Sequence, residues 1–139
     1  MLHEKNSADA RRWFEEVWNR KSEGIVHEML APNIVAHLEP MDVYSIPEFL
    51  EQRAILLQVF PDIHIRLDSV IAQGNEVALR WTTTGTHLGA FMNIQPSGRQ
   101  FTFRGMTWLH FENGKIVEGW DSWNQAALLQ QLQAEGNEK

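Results

Sequence analysis

The spacing of apolar residues changes once along this chain, and that change limits the folds open to it. Before Pro61, apolar side chains recur every three to four residues, as on one face of a helix. From Asp62 onward they alternate with polar ones, beginning with Ile63, Ile65 and Leu67, as in a strand with one buried face. Helices grouped ahead of strands joined by short turns predict an α+β fold with an antiparallel sheet.

Three helices are predicted before the sheet and one after it. Asn6 or Ser7 is the predicted cap of the first helix, and a short second helix follows. The third has a capping box that begins at Ser45 and spans about residues 46–59, and the last spans residues 125–133. A brief extended stretch is expected between the second and third helices.

Two short turns predict the hairpins of the sheet. Gly74-Asn75 joins the first two strands, and Asn113-Gly114 joins residues 100–111 to residues 115–123. The two-residue loop of the second hairpin pairs Glu112 with Lys115, which would set Asp121 opposite Met106. A β-bulge would reverse this assignment beyond it. On the uninterrupted register, one face of the sheet holds Asp121 together with Arg104, Met106, Trp108 and Trp123.

Composition excludes several classes of function. The 139 residues are 43% hydrophobic, which predicts one domain over residues 1–139 with a core of its own. The absence of cysteine removes thiol catalysis and cysteine-ligated metals. A net charge of −6 argues against a nucleic-acid partner. No apolar run is long enough for a membrane span, and we expect a cytoplasmic protein.

Five short segments follow one another in order between residues 60 and 132: Phe60-Pro61-Asp62, TGTHLGAF at 84–91, PSGR at 96–99, GKIVEGWD at 114–121 and LLQQL at 128–132. Together they resemble the SnoaL-like polyketide cyclase family of the nuclear transport factor 2-like superfamily. The resemblance implies a curved antiparallel sheet, a cystatin-type roll that wraps with the helices into a cone around an apolar pocket. It also implies a homodimer, which the residues favour independently because both sheet faces are largely apolar.

Asp121 is the main candidate for chemistry. It lies between Trp120 and Trp123, where a carboxyl group must find a partner or stay protonated. One interpretation is a structural acid paired with Arg104, and the other is a general acid/base. The resemblance favours the second, because cyclases of the family use an Asp on this last strand.

His37 and His87 are further catalytic candidates, because each ends a predicted extended segment and could reach the pocket mouth. Either could relay a proton to Asp121 or could be an ordinary hydrogen-bonded residue. The six histidines show no metal-ligand spacing, so neither a metal nor another cofactor is expected. The candidate substrate-binding residues are mainly aromatic: Trp13, Phe14, Trp18, Phe60, Trp81, Phe91, Arg104, Met106, Trp108 and Trp123.

These features predict a cofactor-independent enzyme whose partner is a small apolar carbonyl or polyketide-like compound. Proton transfer by Asp121 would drive aldol cyclisation or isomerisation. Two alternatives stay open: a non-enzymatic small-molecule binding protein, and an epoxide or ester hydrolase of the same fold.

Overall fold

Helices and strands follow one another nearly as the sequence predicts. The structure, a computed structural model, describes residues 1–39 and 41–133. A π-helical segment, Glu15–Asn19, directly continues the first helix. Within the described residues the elements are α1 (Leu2–Phe14), α2 (Gly24–Met29), β1 (Leu30–His37), β2 (Asp42–Val43), α3 (Ile46–Val59), β3 (His64–Gln73), β4 (Glu76–Thr86), β5 (Gln100–Glu112), β6 (Lys115–Trp123) and α4 (Gln125–Gln133).

One curved six-stranded sheet has the order β2-β1-β6-β5-β4-β3. Strands β3 to β6 form an antiparallel meander, which confirms the two predicted hairpins. Strand β1 pairs parallel to β6, and the two-residue strand β2 adds antiparallel to β1. No hairpin turn fixes the direction of β1, and β2 is too short for an alternating pattern, so the sequence predicted neither pairing. The α+β class is confirmed.

The first helix begins earlier than predicted. It starts at Leu2, after Met1, so neither Asn6 nor Ser7 is its cap. Asn6 is fully buried instead, and its Nδ2 donates to the main-chain oxygen of Gly74 at 3.1 Å. This bond ties α1 to the turn between β3 and β4, which is a tertiary contact that local capping rules cannot anticipate.

The register of the second hairpin differs from the prediction at a single point. A β-bulge between His110 and Phe111 shifts the pairing, so Asp121 lies opposite Thr107 rather than Met106. Because side chains alternate along a strand, a shift by one residue moves Asp121 to the other face of the sheet. Arg104, Met106 and Trp108 therefore do not share a face with Asp121.

The two faces of the sheet have different surroundings. We call the inner face the one that packs against the helices, where Leu79, Trp81 and Leu109 join Trp13 and Phe14 of α1 in the main core. The outer face is the opposite one, which carries Arg104, Met106, Trp108 and Trp120. None of the helices in the described ranges is long and apolar enough to cross a membrane.

Candidate functional site

A cavity of about 240 Å³ lies between the inner face and the helices. Aromatic rings make up much of its wall, and only a few polar side chains interrupt it. Binding pockets for small organic ligands commonly combine such an apolar wall with a few convergent polar groups. Seven of the residues predicted to bind substrate line this cavity: Trp13, Phe14, Trp18, Phe60, Trp81, Phe91 and Trp123.

Asp121 lies on the cavity wall at the end of a chain of two hydrogen bonds. The indole Nε1 of Trp81 donates to Thr107 Oγ1 at 2.9 Å, and Thr107 Oγ1 donates to Asp121 Oδ1 at 2.7 Å. An indole nitrogen can only donate, so the one hydroxyl hydrogen of Thr107 is left for Asp121. Oδ1 is therefore held as an acceptor, and a proton bound to the carboxyl group resides on Oδ2.

Gly105 allows this arrangement, because it lies between two large rings on the inner face. A Cβ atom at this position would approach Trp81 Cη2 to 2.5 Å and Trp123 Cβ to 2.7 Å. Such distances are shorter than any non-bonded contact between carbon atoms. The glycine thus lets Trp81 reach Thr107 while Trp123 packs beside it.

Burial changes the acidity of Asp121. The side chain is half-buried, and it faces the cavity rather than open solvent. Loss of water around the anion raises the pKa of Asp121 to about 6, while the hydrogen bond from Thr107 opposes this rise and the charge of Glu39 adds to it. Among the described residues, no cation forms an ion pair with Asp121. A carboxyl group of this acidity exchanges protons readily near neutral pH.

Six polar residues of the cavity wall were not assigned to it from the sequence: Glu39, Gln52, Arg53, Thr83, Thr107 and Gln125. Arg53 is the one with a detectable signal, since a charged residue on the apolar face of a predicted helix is unusual. Glu39 follows β1 in a loop, and the sequence around it contains no motif that indicates a site residue. Thr83 and Thr107 alternate with outward-facing residues on their strands, and only the correct register assigns them to the cavity.

His37 lies on the far side of the sheet from Asp121. Its Nε2 is 2.7 Å from Glu118 Oε2 and its Nδ1 is 3.1 Å from Asp42 Oδ1, while its ring stacks on Trp120. The hydrogen bond with Glu118 raises the pKa of His37. The structure therefore does not bring His37 to the cavity, and the predicted proton relay from it to Asp121 is wrong.

His87 is buried in the loop that follows β4, outside the cavity wall. Its Nδ1 accepts a hydrogen bond from the main-chain N–H of Ser97 at 3.2 Å and lies 2.9 Å from the Ser97 hydroxyl group. Burial lowers the pKa of His87, so the ring is neutral at physiological pH. These contacts hold the loop together, and no described contact links His87 to Asp121 for the predicted relay.

Three residues predicted to contact substrate lie on the outer face. Arg104 is exposed, and 59% of Met106 and 49% of Trp108 are accessible to solvent. The bulge in the hairpin places them there, which corrects their assignment to the pocket. The alternative ion pair between Arg104 and Asp121 does not form, because the two side chains leave the sheet in opposite directions.

Within residues 1–39 and 41–133, no group of three or more His, Asp or Glu side chains is arranged to hold a metal ion. The polar groups on the cavity wall are carboxyl, guanidinium, hydroxyl and amide groups. The expectation of an enzyme without metal or cofactor stays a prediction.

The family model of the SnoaL-like polyketide cyclases matches residues 8–132. The chain belongs to this family, as the resemblance of its motifs predicted. A search of curated proteins finds no match to the sequence.

Solved structures share the fold over nearly their whole length. A candidate SnoaL-like polyketide cyclase from Jannaschia sp. CCS1 superposes with a TM-score of 0.89 at 20% identity, covering 96% of this chain and 95% of that one. AclR, a candidate hydroxylase from Streptomyces galilaeus, is 32% identical, with a TM-score of 0.84 and coverage of 94% and 82%. IdmH, a candidate polyketide cyclase from Streptomyces antibioticus, is 24% identical, with a TM-score of 0.81 and coverage of 93% and 99%.

Proposed function

We propose that this protein is a cofactor-independent enzyme in which Asp121 transfers protons on a small, largely apolar carbonyl compound of the polyketide type. One observation carries the proposal: a carboxyl group with a pKa of about 6 faces an apolar cavity without a cationic partner among the described residues. Such a group is poised to act as a base in one step and as an acid in the next.

The reaction is an aldol cyclisation or a double-bond isomerisation. Asp121 Oδ2 removes a proton from the carbon beside a carbonyl group, and the electron pair of the C–H bond moves into an enolate. In cyclisation, the enolate carbon attacks a second carbonyl group of the same molecule, a C–C bond forms, and Asp121 returns the proton to the new alkoxide. In isomerisation, the proton returns to another carbon. Both reactions conserve every atom, so neither consumes a co-reactant.

The position of the carboxyl group argues against two alternatives. An ion pair with Arg104 would have favoured a binding protein, and Arg104 lies on the outer face instead. The hydrolase alternative assigned Arg104 to support the attacking water, a role that Arg104 cannot fulfil from the outer face.

A hydroxylase is the second candidate, because AclR bears that description and is 32% identical to this chain. Hydroxylation by oxygen needs an external reductant and dioxygen, whereas proton transfer needs neither. Activity that persists after oxygen is removed supports proton transfer, and activity that disappears supports the hydroxylase.

Exchange of carbon-bound protons tests the proposal without knowledge of the substrate. Incubation of 2-acetonaphthone in D₂O, followed by NMR, measures loss of its methyl protons. We expect the protein to accelerate exchange and Asp121→Asn to lose about 10²–10⁴-fold of that acceleration, since the amide cannot take up a proton at neutral pH. Asp9→Asn, on the surface of α1, is the matched control and should exchange at the wild-type rate. Normal exchange by Asp121→Asn, or no acceleration by the wild-type protein, contradicts the proposal.

We also propose that the outer face forms a homodimer. Met106, Trp108 and Trp120 form an apolar patch there, with 59%, 49% and 40% of their surfaces exposed in a single chain. Trp108 and Trp120 face each other across β5 and β6, so the patch is continuous. Contiguous exposed aromatic residues of this kind mark subunit interfaces. The cytoplasmic location expected from the sequence stays a prediction.

A further inference from the structure

Arg53 is a buried cation that forms no ion pair with the residues the structure describes. It projects from α3 into the cavity wall, and only 7% of it is exposed. Its Nε donates to the main-chain oxygen of Val17 at 3.3 Å, and within the described residues it makes no ion pair. A buried charge that lacks an opposite charge is costly. Arg53 thus leaves a positive charge in the cavity that a ligand can neutralise.

The bond to Val17 leaves the forked end of Arg53 free for a ligand. Val17 lies in the π-helical segment Glu15–Asn19, an irregular turn of a type that often occurs at functional sites. The segment presents a carbonyl oxygen that takes up only the Nε–H group. The two terminal nitrogens of Arg53 carry four further N–H donors, in the planar arrangement that binds a carboxylate through both of its oxygens.

Thr83 adds an unused hydroxyl group to the same side of the cavity. The residue is 1% exposed, lines the cavity from β4, and its Oγ1 has no hydrogen-bond partner in the part of the chain that the structure describes. Ile65 lies opposite Thr83, and Asn19 of the π-helical segment bonds to both main-chain groups of Ile65. The segment that holds Arg53 therefore also lies against the strand beside Thr83.

A buried polar group without a partner destabilises a fold, because it has lost its hydrogen bonds to water. A ligand that forms a hydrogen bond with such a group removes this cost. The hydroxyl group of Thr83 has this property, and the terminal nitrogens of Arg53 make no hydrogen bond within the described residues. Both groups can donate, which favours a ligand rich in acceptor oxygens.

We propose that Arg53 and Thr83 form a subsite that binds a carboxylate group of the ligand. The subsite is separate from Asp121: Thr107, beside Asp121, lies opposite Leu79, and Thr83 is four residues further along β4. That separation is about 13 Å along the strands and roughly 10 Å across two of them, before curvature of the sheet shortens it. The ligand is then an elongated keto acid, with its carboxylate on Arg53 and its reacting carbonyl group beside Asp121.

This inference deepens the proposed function, and binding tests it independently of turnover. Isothermal titration at pH 7.5 compares 2-naphthoate with its neutral methyl ester, which has the same ring system. We expect the wild-type protein to bind the carboxylate at least about tenfold more tightly than the ester. Arg53→Met should abolish this preference, whereas Arg104→Met, which removes an equal charge from the outer face, should retain it.

Thr83→Val provides a second test that does not depend on removal of a buried charge. Valine has the same shape and replaces an unsatisfied hydroxyl group, so the free variant should melt a few degrees higher than the wild type. Its affinity for 2-naphthoate should nevertheless fall several-fold, while affinity for the ester stays the same. Thr84→Val, at an exposed position on the outer face of the same strand, is the matched control.

The inference is overturned if the wild type binds acid and ester equally or binds neither, or if Arg53→Met or Thr83→Val keeps the full preference. Failure of these binding tests would not contradict the proposed role of Asp121. Failure of the exchange assay would not contradict the subsite.

Discussion

The inner and outer faces of one sheet use charged residues in opposite ways. On the outer face, His37 is bonded to Glu118, and His110 is bonded to Glu76. On the inner face, Asp121 and Arg53 line the same cavity and form no ion pair with each other or with other described residues. Paired charges at a surface contribute little to stability, whereas unpaired charges in a cavity are costly. A bound ligand can therefore offset the destabilising effect of the unpaired charges in the cavity.

The faces also differ in how their apolar residues are covered. Helices cover the inner face, where Leu79 and Leu109 are 2% and 4% exposed. The described elements leave the outer face open, and Trp108 there keeps 49% of its surface accessible. The difference teaches that the described helices cover one apolar face of the sheet, and the proposed dimer would cover the other.

Trp108→Glu tests the role of the outer face and should have the largest effect. A charge in the middle of an apolar interface should weaken the dimer by about 10³-fold, because the carboxylate loses its water there. Light scattering at micromolar concentration should return about 32 kDa for the wild type and 16.1 kDa for the variant. Leu2→Glu, at an exposed apolar position on α1, should remain dimeric. A wild-type mass of one chain contradicts the interface.

Asp121→Asn should stabilise the protein, with an effect that depends on pH. The pKa of Asp121 is about 6 in the folded state and 3.8 in the unfolded chain, so ionisation at pH 7 costs the fold roughly 3 kcal/mol. The variant should gain that amount in urea unfolding at pH 7. The gain should shrink as pH falls from 6 and should vanish below pH 4, where wild-type Asp121 is protonated in both states. An equal gain in stability at every pH would show that ionisation of Asp121 does not cause it.

On the outer face, His37 should change stability with pH in the direction opposite to Asp121. The hydrogen bond between His37 and Glu118 raises the pKa of His37 above its ordinary value of 6.5. Protonated His37 therefore stabilises the fold below pH 6.5, and this contribution is lost as pH rises through the raised pKa. His37→Gln should thus destabilise the protein at acidic pH and have little effect at alkaline pH.

Thr107→Val should have the smallest of these effects, on acidity rather than on rate. Its hydrogen bond lowers the pKa of Asp121, so its removal should raise that pKa further and move the acidic limb of the kcat/KM profile up by about half a pH unit. Thr82→Val, which breaks a similar bond to Asp68 on the outer face, should leave the profile in place. An unshifted profile for Thr107→Val would show that the bond does not act on Asp121.

Local sequence signals predicted most of the elements correctly. The Ser45 cap fixed the start of α3, where Ser45 Oγ accepts a hydrogen bond from the main-chain N–H of Glu48 at 3.2 Å. Asn113-Gly114 fixed the turn between β5 and β6. Both signals work because the residues that form the structure are neighbours in the chain. The start of α1 failed for the converse reason, since Asn6 is buried against a turn nearly seventy residues away.

The sequence by itself determined the α+β class, the family and the choice of Asp121, because period, turns and motifs are properties of short segments. Only the tertiary structure decided what surrounds Asp121. A bulge of one residue exchanged Met106 for Thr107 as its neighbour and sent Arg104 and Trp108 to the other face. The folded chain also brought Arg53 of α3 and Thr83 of β4 to one cavity. Because side chains alternate along a strand, the exact register decides which residues lie on each face. The position of a bulge depends on tertiary packing, and no local sequence pattern predicts it.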